Sequence, residues 1–183
     1  MAEEVTLKVN DTSHLYLCKH FTSLGEDEKK HLVSIFSIEE VDNYLNQIGS
    51  KFFTEFANGP LDLVKKLILH VPNKVFTQNN GRKVSIYVFD RHIGTTGVIN
   101  RTDIPLEFRE QIYEKKRGEA IIWAWKSDEK VYTNQLVLIT DNDTIITCFP
   151  GLYAPPLPSS GMTEEELNEA MDFWNQHVFV DYV

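Results

Sequence analysis

The chain has 183 residues, of which 42% are hydrophobic and 25% charged, and its net charge is −9. That length and balance suit one globular domain spanning 1–183 with its own core. The acidic total excludes a protein that coats nucleic acid at large, because such binding needs lysine and arginine to neutralise phosphates.

The N-terminus, MAEEVTLKVND, is acidic and polar and does not read as a signal peptide. "TSHLYLCKHF" reads as a short strand or a helix, and "EDEKKHLVSIF" as a helix. "SIEEVDNYLNQI" is a helix that opens with a capping box, Ser37 to Glu40, with Ile38, Val41, Leu45 and Ile48 on its apolar face. "FANGPLDLVKKLILHVP" starts a helix at Pro60, with a predicted buried stripe of Leu61, Val64, Leu67 and Ile68, and stops at Pro72. Residues 1–80 are therefore expected to be the helical part.

After Asn79-Asn80-Gly81 the period changes to that of strands. "KVSIYVFD" and "IGTTGVIN" are the first two, with Arg91 and His92 at the bend between them. "TDIPLEFREQIYEKKRG" predicts a helix begun by Thr102 or Asp103 and stopped by Gly118. "EAIIWAWK", "NQLVLIT" and "TIITCFP" follow as strands, the last two joined by a tight hairpin at Asp141-Asn142-Asp143. "GLYAPPLPSSG" is an extended arm, and "MTEEELNEAMDFWNQHVF" a closing helix capped by Thr163 and Glu166. The expected architecture is α+β: N-terminal helices, a sheet part at 81–158 of roughly five mostly antiparallel strands with one inserted helix, and a C-terminal helix over 162–183.

Charge is uneven along this order. Residues 81–117 carry a net +3, whereas residues 118–183 carry −9. The basic segment suits a small anionic site, and the acidic third suits docking of a basic partner. No apolar run approaches the ~20 residues of a membrane span, so no membrane partner is expected. Cys18 and Cys148 lie far apart, which fits a reduced, cytoplasmic protein without a disulfide framework or zinc site. Phosphate loops, nucleophile elbows and paired metal ligands are missing from the sequence, so no cofactor and no metal are expected.

The residues with chemical potential gather in "DRHIGTTGVINRTDIP". His92 is the histidine that falls in the sheet region, with Arg91, Thr95, Thr96 and Arg101 close in sequence. Imidazole, hydroxyl and guanidinium groups are what metal-free phosphodiester transfer uses. A base takes the ribose 2′-OH proton, an acid protonates the leaving oxygen, and donors stabilise the phosphorane. Each residue also has a plainer reading. Lys115, Lys116 and Arg117 suit the negative pole of a helix end, Trp123 and Trp125 suit a core, and Cys148 suits a small buried apolar position.

The order "RHIGTTGVI", "KKRGE", "TNQLVLIT", "TIITCFPG" and "APPLP" resembles the barnase/EndoU/colicin/RelE-like ribonuclease superfamily, nearest to nuclease-like domains of phage and polymorphic toxins, over about residues 84–158. The resemblance implies metal-independent RNA cleavage, with His92 as general acid or base. It further implies Thr95 or Thr96 beside the phosphate, Arg101 or Arg117 as the cation, and Thr147 as a late-strand hydroxyl. RNA or another phosphate-bearing ligand is then the expected partner. The alternative expectation is a non-catalytic, immunity-like or regulatory protein whose acidic surface docks a basic protein partner.

Overall fold

The computed structural model describes residues 7–47, 49–104, 112–117 and 120–182. In chain order it forms α1 (Asp11–Leu17), a 3₁₀ turn (Cys18–His20), α2 (Glu26–Ile35), α3 (Ile38–Leu45) and α4 (Pro60–Leu67). Strands follow as β1 (Lys74–Thr77), β2 (Lys83–Val88), β3 (Gly94–Thr95) and β4 (Val98–Asn100), then a 3₁₀ turn (Arg101–Asp103). The remainder is β5 (Ile112–Arg117), β6 (Ala120–Ser127), β7 (Tyr132–Thr133), β8 (Gln135–Asp141), β9 (Thr144–Pro150), α5 (Glu164–Gln176) and β10 (His177–Tyr182). The α+β class and the mostly antiparallel pairing hold, with ten short strands among the described residues where roughly five are expected.

The chain divides into two compact units, Met1–Thr95 with Tyr132–Gly151, and Thr96–Val131 with Leu152–Val183. In the first unit the sheet order is β1-β2-β8-β9, every pairing antiparallel, with β3-β7 as a separate two-stranded ladder. Its core joins Leu15, Leu17, Phe21 and Leu32 of the early helices to Leu63 and Leu67 of α4 and to Tyr87, Leu136, Leu138 and Cys148 of the sheet. Ser37 caps α3 as its sequence predicts, its hydroxyl accepting the Glu40 N–H at 3.1 Å. Asn142 and Asp143 both take positive φ, 47° and 69°, the backbone twist a two-residue hairpin needs.

Two predicted stripes differ. In α4 the buried positions are Pro60, Leu63 and Leu67, while Leu61 and Ile68 lie exposed. The predicted phase is rotated because Gly59 and Pro60 seat the first turn against Glu28, which turns Leu63 inward. In α3, Val41 and Leu45 are buried but Ile38 is exposed, and Ile48 lies outside the described residues.

In the second unit the order is β4-β10-β6-β5, with β10 parallel to β6. Two small cores form, Ile99, Ile104, Trp125, Val178 and Val180 in one, Ala170 and Trp174 in the other. Thr163 caps α5 as expected. The Trp174 indole N–H donates to the Pro155 carbonyl at 3.2 Å and so holds the proline-rich arm. Two expectations are corrected here. Ile112–Arg117 is a strand, not the second half of a helix, because its backbone pairs along β6 from Ile112↔Trp125 to Arg117↔Ala120. The first half of that predicted helix, 105–111, lies outside the described residues. The closing helix ends at Gln176, and "HVFVDY" becomes β10, filling the place between β4 and β6.

Candidate functional site

His92 stands in the loop that links β2 to β3, and hydrogen bonds on both sides anchor that loop at its ends. Phe89 N–H donates to the Asn134 carbonyl at 2.9 Å, and the Asn134 amide returns a bond to the Phe89 carbonyl at 3.1 Å. Ile93 N–H reaches the Thr133 carbonyl and Phe53 N–H the Ile93 carbonyl, each at 2.8 Å. Gly94 then runs against the backbone of Lys51 and Phe52, where a Cβ would overlap the Lys51 carbonyl oxygen. That close approach explains a glycine in the middle of "RHIGTTG".

His92 itself is exposed, and its ring packs on Tyr132 at 5.8 Å between centroids. The Tyr132 ring, 51% exposed, meets Phe53 edge-on at 5.5 Å on its other contact. Among the described residues His92 makes no hydrogen bond, and Arg91 next to it is also exposed. The result is an accessible imidazole on a firm backbone, backed by a phenol ring. Tyr132 escapes sequence reasoning because it lies far from His92 along the chain. The β3–β7 pairing, Thr95↔Tyr132, brings it there, and the only local signal is an aromatic residue ahead of a Thr-Asn turn.

The threonines have other work. Thr95 is buried, and its hydroxyl accepts the Lys51 N–H at 3.1 Å, while its own N–H donates to the Lys51 carbonyl at 2.8 Å. Thr96 is buried in the second unit, where its hydroxyl bonds the Val98 carbonyl and N–H at 3.1 and 3.2 Å. Both hydroxyls bond backbone, Thr95 at Lys51 in the first unit and Thr96 at Val98 in the second. Thr147 is half-buried in β9 opposite Ile139, and among the described residues no hydrogen bond joins it to His92. Arg101 is exposed in the 3₁₀ turn of the second unit, and Arg117 closes β5 there. His92, Thr95 and Thr147 therefore belong to one unit, with no hydrogen bond joining the three to one another among the described residues, and Thr96, Arg101 and Arg117 belong to the other.

Both thiols are poor nucleophiles. Burial pushes Cys18 up to about 12, with the Glu28 carboxylate adding to the effect, and burial alone raises Cys148 well above the ordinary thiol range. Among the described residues no group of three or more His, Cys, Asp or Glu side chains is placed to hold a metal ion.

A second polar cluster lies inside the first unit. His14 and Glu28, 4% and 8% exposed, meet at 2.6 Å, and the same Glu28 oxygen accepts the Leu61 N–H at 3.0 Å. One carboxylate thus ties α1 and α2 to the first turn of α4, where it also complements the helix dipole. Gly59, at φ +108°, is required both by that backbone angle and by the carboxylate against it. His20 is neutral in the fold. Burial lowers its pKa to about 4, and its Nδ1–H donates to the Ser50 carbonyl at 2.9 Å.

No family model matches the sequence, and no curated protein matches it. Among solved structures the chain is similar to a conserved hypothetical protein from Toxoplasma gondii ME49. The TM-score is 0.48 with 10% identity, over 70% of this chain and 88% of that one. Among the described residues no helix is long and apolar enough to cross a membrane.

Proposed function

We propose that the protein is a ribonuclease-like enzyme that cleaves RNA phosphodiesters without a metal, using His92 as general acid or base. The carrying observation is the placement of His92: exposed, free of hydrogen bonds among the described residues, and mounted on a loop braced at Phe89, Ile93, Gly94 and Thr95. An imidazole so held can take the ribose 2′-OH proton and return one to the 5′-oxygen that leaves, giving a 2′,3′-cyclic phosphate and a 5′-hydroxyl. Arg91 beside it is the cation for the charged phosphorane, and Thr147 is the late-strand hydroxyl. Thr95 acts by fixing the loop through Lys51. Incubation of the purified protein with mixed RNAs in the presence of chelator tests this: wild type yields cyclic-phosphate ends and His92→Ala yields none. Inert wild-type protein across those RNAs removes the reading.

A second reading is favoured by α5. Glu164, Glu165, Glu169 and Asp172 are exposed on it, and no lysine or arginine occurs from residue 131 to the C-terminus. Such a surface suits a non-catalytic protein that docks a basic protein partner. Charge reversal of Glu164, Glu165 and Glu166 then abolishes recovery of that partner in a pull-down. A partner indifferent to those charges contradicts docking through α5.

A further inference from the structure

The end of α4 and its connection to β1 carry a surface that neither reading uses. Ile68 is 45% exposed, Leu69 80% and Val71 86%, so three aliphatic side chains lie largely outside the core within four residues. The segment after the tip is tied to β2, where the Val88 N–H donates to the Asn73 side chain at 2.8 Å. Isolated exposed aliphatics are ordinary, but a run of them at a projecting helix end marks a contact surface. The tip is fixed in shape. The His70 Nδ1–H donates to the Lys66 carbonyl at 2.8 Å, and the ring packs edge-on against Phe89 at 5.1 Å.

The charged residues next to the tip along the chain have one sign. Lys65 and Lys66 lie in the last turn of α4, and Lys74 opens β1. From Leu63 to Phe89 the sequence holds no aspartate or glutamate. Of the two acids that flank this stretch, Asp62 accepts the Asn58 N–H at the opposite end of α4, and Asp90 is exposed beyond Phe89. A chain of net charge −9 thus concentrates lysines around its most exposed aliphatic side chains.

We propose that this tip docks the first unit on an anionic lipid surface. Leu69 and Val71 enter the layer beneath the headgroups, while Lys65, Lys66 and Lys74 meet the lipid phosphates. Charge complementarity selects an anionic partner, and shape selects lipid over an acidic peptide. Side chains that project need a yielding apolar phase, whereas a peptide is usually taken up in a groove or along a strand edge. Lack of a spanning helix bears on crossing the bilayer and not on contact with its surface.

The test is co-sedimentation of the full chain with phosphatidylcholine vesicles, with and without about one-third phosphatidylserine. The bound fraction should be several-fold higher on the serine-containing vesicles and fall as salt rises. Leu69→Glu/Val71→Glu should lower it about tenfold, and Lys65→Glu/Lys66→Glu should erase the preference for phosphatidylserine. These positions are on the surface, and circular dichroism of each variant confirms that it folds. Equal binding to both vesicles, or binding that neither double variant changes, overturns the proposal. So does a lysine variant that loses RNA cleavage while wild type ignores vesicles, since the anionic partner is then nucleic acid.

Discussion

The first unit holds two kinds of histidine, and the contrast separates fold from function. His14 and His20 are drawn into the structure, one on a buried carboxylate and one on a backbone carbonyl. His92 sits outside, on a loop whose backbone is tied at Phe89 and Ile93 while its imidazole makes no hydrogen bond among the described residues. Polar groups withdrawn from water must be paired or they cost stability, and each of these two rings, His14 and His20, commits a nitrogen to the fold. An exposed imidazole contributes little to folding, so a loop built to hold one in place points to use elsewhere.

The largest expected effect lies on the fold side of that contrast. Glu28→Ala should lower stability by about 3–5 kcal/mol in urea denaturation, because it leaves the buried His14 ring and the Leu61 N–H without their shared acceptor. A loss under about 1 kcal/mol would mean that water already serves the site and that the contrast is false.

His20 adds a pH dependence. Its folded pKa of about 4 lies below the ordinary 6.5, so between these values the unfolded chain binds the proton that the folded chain refuses. The contribution is complete above pH 6.5 and is lost as pH falls towards 4, amounting to about 3 kcal/mol across that window. His20→Gln, which can keep the bond to Ser50, should flatten stability over that window. An unchanged slope would show that another group titrates there.

Smaller effects sharpen the loop's role. Gly94→Ala should cost about 1–3 kcal/mol, since its Cβ meets the Lys51 backbone, which flexible side chains cannot relieve. Thr95→Val should cost about 1 kcal/mol by removing the acceptor for Lys51 N–H, yet leave cleavage per folded molecule near wild type. If Thr95→Val instead lowers kcat a hundredfold at full folding, the hydroxyl touches the phosphate and the structural role assigned to it fails.

What the sequence made legible follows from which forces are local. Capping by Ser37 and Thr163, the Asn142-Asp143 hairpin and strands β2, β8 and β9 are written within a few residues each, and the structure shows all of them. "IYEKKR" looks helical because its lysines, glutamate and arginine favour helix, but pairing with β6 decides its state. "HVFVDY" alternates like a strand yet follows a helix with no stop signal, so its partners β4 and β6 alone reveal it. The candidate site is legible in part for the same reason. His92 stands out by residue type, whereas Tyr132 and the bond from Lys51 to Thr95 depend on pairings between distant segments.

The central claim concerns His92, and one comparison tests it directly: cleavage of RNA in chelator by wild type and His92→Ala, alongside their urea denaturation curves. The account predicts stabilities within about 0.5 kcal/mol of each other and a fall in cleavage of about 10²–10⁴-fold. Equal cleavage by the two proteins, or none by either, would contradict it.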